Sequence, residues 1–340
     1  MSRKGETLAD FRVHSIRGGL IETTHEVVVA VVDAAGRHVV RHGDADLVTP
    51  IRSAAKPFQA FPLVADGVVD GLGISPEELA LACASHNSEV HQVQLVANWM
   101  SRIGVKESDL VCGPHRPLAK EAGVRRRDGT LQEVELAPPS RVASNCSGKH
   151  TGMLALAKYH GWSPQGYALA DHPVQQRCGA AIAEWFDLDM ASLRTTLDGC
   201  GVVSWAVPLR AMALGYARAS RATGPMASIV SAMTTHPGLV AGVRRTCTAL
   251  MKAYPGRILA KLGAAGVYGA ALLEEGLGIA IKVLDGNLMA SGVALMAVLD
   301  ALGLAPTPSS HLADYASPVM ANTNGDVVGR YEASGTLSVV

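Results

Sequence analysis

Three short motifs stand in a fixed order at widely separated points of the chain: Ser53-Ala54-Ala55-Lys56, Ser85-His86-Asn87 and Lys261-Leu262-Gly263. They read as S-x-x-K, S-x-N and K-x-G. If they make one site, the segment around Lys261 must close against the segments around Ser53 and Ser85, and the two ends of the chain must belong to one architecture. A serine hydroxyl is nearly inert at neutral pH until a base takes its proton. Residues three apart share one face of a helix, so a helix opening at Ser53 would set the Lys56 amine beside the Ser53 hydroxyl.

This is the order in which serine acyl enzymes of the penicillin-recognising kind carry a nucleophile, a second-wall serine and a closing lysine. Each pattern is short and has a simpler reading: Ser53 as a helix cap, Lys56 as a solvated side chain and Lys261 as a charge where a strand starts.

The bulk numbers narrow the classes. At 340 residues, 48% hydrophobic and 18% charged, the chain fits a globular protein with a substantial core. Lys+Arg and Asp+Glu balance at 30 each, which argues against a nucleic-acid partner, and 4% aromatic residues leave few stacking platforms. No membrane-length apolar run occurs, and the polar start at residues 1–6 leads into no signal-like core, so the expectation is a cytoplasmic protein. The 6 cysteines are then expected as free or metal-bound thiols rather than disulfides.

Along the chain, residues 27–33 and 37–42 read as a β-hairpin, and residues 51–64 carry apolar residues at helical spacing, with Pro57 confining the Ser53–Lys56 turn to the helix start. Ser75-Pro76-Glu77-Glu78 is a helix start, and S-x-N falls at the break before the next helix, where polar side chains can face a cleft. The run Arg125-Arg126-Arg127 reads as an exposed turn. Helical patterning covers 147–159, 173–186, 208–220, 226–235 and 239–254; strands follow at 267–273 and 278–284, then a helix at 287–302 and an extended tail at 326–331. This predicts a single α/β (α+β) domain over 1–340, its terminal strands in one sheet and a helical section around 145–255.

A second cluster is Cys146-Ser147-Gly148-Lys149-His150 with Asp198-Gly199-Cys200. Zinc favours thiolates, and two sulfurs plus one nitrogen would leave a position open. Spacing alone leaves the alternative standing, with small buried cysteines and a surface Lys149, because no C-x-x-C pair occurs and lysine must lose a proton to bind a metal. His86 and His91 read as polar residues of a cleft or surface.

Taken with their neighbours, residues 50–59, Ala84-Ser85-His86, Ser144 to His150, Asp198-Gly199-Cys200 and Ala260-Lys261-Leu262-Gly263 resemble the asparaginase II family, the class 3 or Rhizobium etli type L-asparaginases. The resemblance runs over almost the whole chain. It implies a fold like the serine β-lactamases and serine-dependent glutaminases, a homodimer, and hydrolysis of L-asparagine to L-aspartate and ammonia. It also implies two Ser-Lys tandems, Ser53 with Lys56 and Ser85 with Lys261, and a zinc site of Cys146, Lys149 and Cys200. Arg52, His150, Asp198 and Cys247 match further active-site positions.

On that basis Ser53 is expected to attack the carboxamide, neutral Lys56 to act as its base and Ser85 to relay a proton with Lys261. Zinc, Arg52, His150 and Asp198 are expected to hold or orient the substrate. A glutaminase or β-lactam hydrolase would share the chemistry. A zinc-stabilised amino-acid-binding protein would share the fold without it.

Overall fold

The computed structural model describes residues 11–121, 123–304, 311–337 and 339; residues 1–6, read above as a polar start, lie outside the described residues. The strands in chain order are β1 (Arg12–Arg17), β2 (Leu20–Asp33), β3 (His38–His42), β4 (Val48–Pro50), β5 (Arg194–Leu197), β6 (Val203–Pro208), β7 (Ile258–Leu262), β8 (Val267–Leu272), β9 (Leu277–Val283), β10 (Val319–Ala321) and β11 (Val327–Ser334). An 8-stranded sheet runs β10-β11-β1-β2-β9-β8-β7, with β3 paired to β2. Every pairing is antiparallel. The terminal strands therefore meet in one sheet, β11 against β1, as the sequence predicts.

The core strands read as unbroken apolar runs because both of their faces are covered. Residues 27–32 and all of β8 are buried. The helix Leu209–Ser220 lies against β2, β8 and β9, and the helix Leu288–Ala301 against β1, β8, β9 and β11. The first of these approaches so closely that a Cβ at Gly278 of β9 would fall on the Ala213 carbonyl and the Ala217 nitrogen. Among the described residues no helix is long and apolar enough to cross a membrane.

Between the sheet's two halves lies the helical section, with Ser147–Tyr159 and Pro173–Phe186 where the periodicity places them. Three readings change. The helix expected over 51–64 is a 3-10 turn, Arg52–Ala55, followed by the short helices Lys56–Gln59 and Phe61–Ala65, because Pro57 and Pro62 each start a new segment. The helix expected over 239–254 is two pieces, Pro237–Val240 and Thr246–Ala253, parted where Gly242 and Arg244 take positive φ. A 3-stranded sheet, β4-β6-β5, also appears, whose exposed β5 carries little hydrophobic signal.

Gly278→Ala is expected to lower stability by about 1–3 kcal/mol or more, since backbone rather than a side-chain tip must yield. Gly238→Ala, with open space around it, should stay within about 0.5 kcal/mol of the parent. Urea unfolding of the two variants side by side checks this.

Candidate active site

The small sheet fixes the first serine. Pro50 pairs with Ala206, Ile51 N–H donates to the Trp205 carbonyl at 2.9 Å, and the chain then turns sharply through Arg52, whose φ is +49°. A non-glycine residue in that region costs on the order of 1 kcal/mol or more and needs outside support. Arg52 has it in an ion pair with Asp198, Nε to Oδ1 at 2.7 Å. From behind, the Tyr216 hydroxyl donates to the Ala54 carbonyl at 2.8 Å, and Phe58 packs edge-on against Tyr216 and Phe186. The Ser53 hydroxyl is left without a hydrogen bond among the described residues.

Lys56 is fully buried. Its amine donates to the Ala84 carbonyl at 2.5 Å, to Ser85 Oγ at 2.9 Å and to Cys146 Sγ at 3.2 Å, not to Ser53. Three acceptors match the three N–H groups of an ammonium. Lys261, near the end of β7 and 1% exposed, lies with Nζ 2.8 Å from the same Ser85 Oγ and 2.9 Å from the Leu262 carbonyl. Burial, then the cations Lys56 and Arg245, push the Lys261 amine down to about 7. With Lys56 donating to it, Ser85 Oγ can give its single hydrogen to Lys261. S-x-x-K, the serine of S-x-N and K-x-G thus meet at one oxygen.

The rest of S-x-N does not face the opening. His86 is fully buried, its ring bonded to Ser147 Oγ and to the Ser88 N–H, and burial beside Lys56 drops its pKa to about 3, so it is neutral. Asn87 is likewise buried, whereas His91 is exposed.

Cys146, Lys149 and Cys200 come together across two turns. Lys149 Nζ donates to Cys200 Sγ at 3.0 Å, and Cys146 and Cys200 are close enough to shift each other's titration. Lys149 is buried, against the surface position that the pattern alone allows. The neighbouring Cys146 thiol and the Lys149 charge hold the Cys200 thiol well below its ordinary pKa despite burial. Burial opposes the Lys149 cation, but Cys200, Cys146 and Asp198 outweigh it and raise its pKa. No group of three or more His, Cys, Asp and Glu side chains placed to hold a metal occurs among the described residues, so a metal here would need the Lys149 amine. Two sulfurs and an amine gathered from two turns are nevertheless a donor set that suits a thiophilic cation.

His150, one residue on, is buried, and burial lowers its pKa. Its Nδ1 lies 2.5 Å from the Tyr167 hydroxyl, which already accepts the Val111 N–H at 3.0 Å. The phenol proton is therefore free for Nδ1, which places the ring proton on Nε2. That atom is buried without a partner among the described residues. Cys247 lies behind Lys261, its sulfur accepting the Leu262 N–H at 3.2 Å and sitting 3.0 Å from the Tyr268 hydroxyl.

Two residues that the sequence reading passed over belong to this neighbourhood. Tyr167 holds His150, and Arg245 reaches the carbonyl of Ser85 at 3.4 Å. Neither carries a local signal, since each is recognisable only through a partner distant in sequence.

Among solved structures, the chain is similar to Mglu in its native form, with 15% identity, a TM-score of 0.45, and 84% of this chain and 66% of that chain covered. A beta-lactamase from Mycobacterium bovis matches at 15% identity and TM-score 0.33, covering 85% and 95% of the two chains. A putative beta-lactamase from Bacteroides dorei matches at 11% and TM-score 0.36, covering 81% and 86%. The chain thus spans about two thirds of the length of Mglu. No curated protein matches it. The profile described as L-asparaginase II matches residues 13–333, a span that holds every site residue described above. The chain therefore belongs to the L-asparaginase II family.

Proposed function

We propose that the protein hydrolyses the side-chain amide of L-asparagine to L-aspartate and ammonia through an acyl-enzyme on Ser53, acting as a cytoplasmic homodimer. The observation that carries this reading is the convergence of two buried lysine amines on one serine hydroxyl, Lys56 and Lys261 at 2.9 and 2.8 Å from Ser85 Oγ.

In the resting arrangement the Lys261 amine is the one suited to be neutral, and Ser85 links it to Lys56. Transfer of the Ser85 proton to Lys261, with a Lys56 proton moving onto Ser85, leaves Lys56 neutral one turn from Ser53. Lys56 can then take the Ser53 proton as the hydroxyl attacks the carboxamide carbon. The Ser53 N–H makes no backbone hydrogen bond among the described residues, which suits it to the developing oxyanion. The proton held on Lys261 returns through Ser85 toward the departing ammonia. Water then repeats the sequence on the ester, releasing aspartate.

At the opening, Arg52 and Asp198 neutralise each other at 2.7 Å, with side chains 27% and 11% exposed. A zwitterion can replace each partner by its own charge, with its α-carboxylate on the Arg52 fork and its α-ammonium on Asp198. The His150 Nε2–H offers a further donor to an acceptor on the substrate. Cys146, Lys149 and Cys200 are the residues to hold zinc, which when bound would supply a fixed positive centre for anchoring substrate.

One observation favours a second reading, in which Ser85 is the nucleophile: both lysines are bonded to Ser85 and neither to Ser53. Ammonia release from asparagine and glutamine, assayed side by side, tests the activity and the preference. Ser53→Ala should abolish release while changing stability by no more than about 0.5 kcal/mol, since the hydroxyl has no partner to lose. If folded Ser53→Ala keeps substantial turnover and Ser85→Ala forms no trapped acyl adduct, the nucleophile is Ser85.

The Lys261 amine near 7 gives turnover an acidic limb centred near that pH, because the protonated form cannot accept from Ser85. Lys261→Met should cut kcat severely and abolish that limb. Its stability signature has a definite sign: between about 7 and the unfolded lysine value of about 10.4 the unfolded chain binds more protons, so wild-type stability rises with pH there. Lys261→Met removes that rise, and should melt higher than wild type at pH 7 with the gap closing toward pH 10. Unchanged rate, pH profile and melting in a folded Lys261→Met protein would sink the two-tandem mechanism.

Purified protein should carry about one zinc per chain, and Cys200→Ser should lower both that content and the apparent affinity for asparagine. Elemental analysis of fully active protein decides whether zinc belongs here.

A further inference from the structure

Ser85 serves both amines only if its backbone is held firmly, yet it sits in irregular chain after the helix Pro76–Ala82. The segment around residues 240–245 holds it. Ser85 N–H donates to the Val240 carbonyl at 2.9 Å, and its carbonyl receives Arg245 Nη1 at 3.4 Å. Arg245 is 2% exposed, and the same Nη1 donates to Asn87 Oδ1 at 3.0 Å. The Asn87 amide donates in turn to Glu89 Oε1 at 2.8 Å and to the Val243 carbonyl at 2.9 Å. Glu89, also buried, accepts the Val243 N–H at 2.7 Å. A buried cation and a buried carboxylate are thus joined through one amide, the arrangement that makes a buried charge tolerable. Gly242 is required where the two segments meet: at φ +117° its missing Cβ would fall on Glu89 Oε1 and lie 2.5 Å from Asn87 Nδ2.

We propose that Arg245 is the positioning residue of the Ser85 turn: from behind the cleft, anchored by Asn87 and Glu89, it fixes the Ser85 carbonyl so that the hydroxyl is presented to both lysines. The proposal rests on the reading in which Ser85 passes protons between Lys56 and Lys261. It gives the asparagine of S-x-N a task turned away from substrate. It also makes Arg245 a third cation beside the lysine pair, which favours the neutral form of Lys261. The other groups facing Lys261 are Lys56, Cys83 at the end of Pro76–Ala82, Cys146 ahead of Ser147–Tyr159, and Cys247 with its partner Tyr268 on β8.

The experiment compares full-length wild type, Arg245→Lys and Arg245→Met by kcat and KM against pH, by thermal melting, and by NMR titration of 13Cε-labelled lysines, with the Lys261 signal assigned by its loss in Lys261→Met. Arg245→Lys keeps the charge but not the guanidinium that bridges Ser85 and Asn87, so kcat should fall about 10- to 100-fold, with KM and the acidic limb unmoved. Arg245→Met should lose at least as much kcat and shift both the limb and the Lys261 titration to higher pH. A folded Arg245→Lys enzyme with wild-type kcat overturns the positioning role, and it decides alone if Arg245→Met does not fold. A fall in kcat with the limb and the Lys261 titration unmoved in folded Arg245→Met reduces Arg245 to a packing residue and also overturns the proposal. If wild type releases no ammonia from any amide, the functional reading fails, and the Lys261 titration in Arg245→Met still decides whether Arg245 acts on this pair.

Discussion

Two lysine amines share one hydroxyl in the buried interior of the protein. Both lie within 3 Å of Ser85 Oγ, so they are less than about 6 Å apart, and two full charges there repel by roughly 3 kcal/mol even at an effective dielectric of 20. Relief comes from removing one proton and from giving the remaining ammonium three acceptors. The surroundings are arranged accordingly, with Cys146 and the Ala84 carbonyl on the Lys56 side and uncharged β7 backbone on the other. A pair poised to exchange a proton is thus a by-product of where the fold puts two cations.

That placement depends on elements with no chemistry of their own. The helix Leu209–Ser220 lies flush on the sheet and reaches out through Tyr216 to hold the Ala54 carbonyl. The 3-stranded sheet sets the angle at which the chain enters the Arg52 turn. The site then grades outward, from the fully buried Lys56 to the partly open Arg52 and Cys200. Its inner half suits proton transfer and its outer half recognition of a charged small molecule.

How much of this could be read beforehand follows from how local each signal is. Helices such as Ser147–Tyr159 and Pro173–Phe186 declare themselves by period and by their first residues. The pairing of the terminal strands follows from strand patterns at both ends. The stretch 239–254 misleads because its apolar spacing is helical, while the turn is imposed by Gly242 and Arg244 against buried Asn87 and Glu89 far upstream. Strand β1 carries mixed polar residues, since it lies toward an edge of the sheet's buried centre. In the site, the serines and lysines are legible as spaced motifs. The burial of Lys149 depends on Cys200 across a second turn, and nothing local separates Arg245, buried against Ser85, from its neighbour Arg244.

The sheet order has a consequence for how the molecule comes into being. Among the described residues, the strand carrying Lys261 pairs only with β8, and β8 reaches the N-terminal strands only through β9. The β7–β8 and β8–β9 pairings are local hairpins, but β9 meets β2 across most of the chain, with Val27 opposite Val283, and long-range pairings of this kind form slowly. Until the β7–β9 meander has zipped onto β2, Lys56 and Ser85 can be present and correctly packed with no second amine beside them. On the two-lysine reading proposed above, activity during refolding would mark the β2–β9 pairing rather than the first collapse.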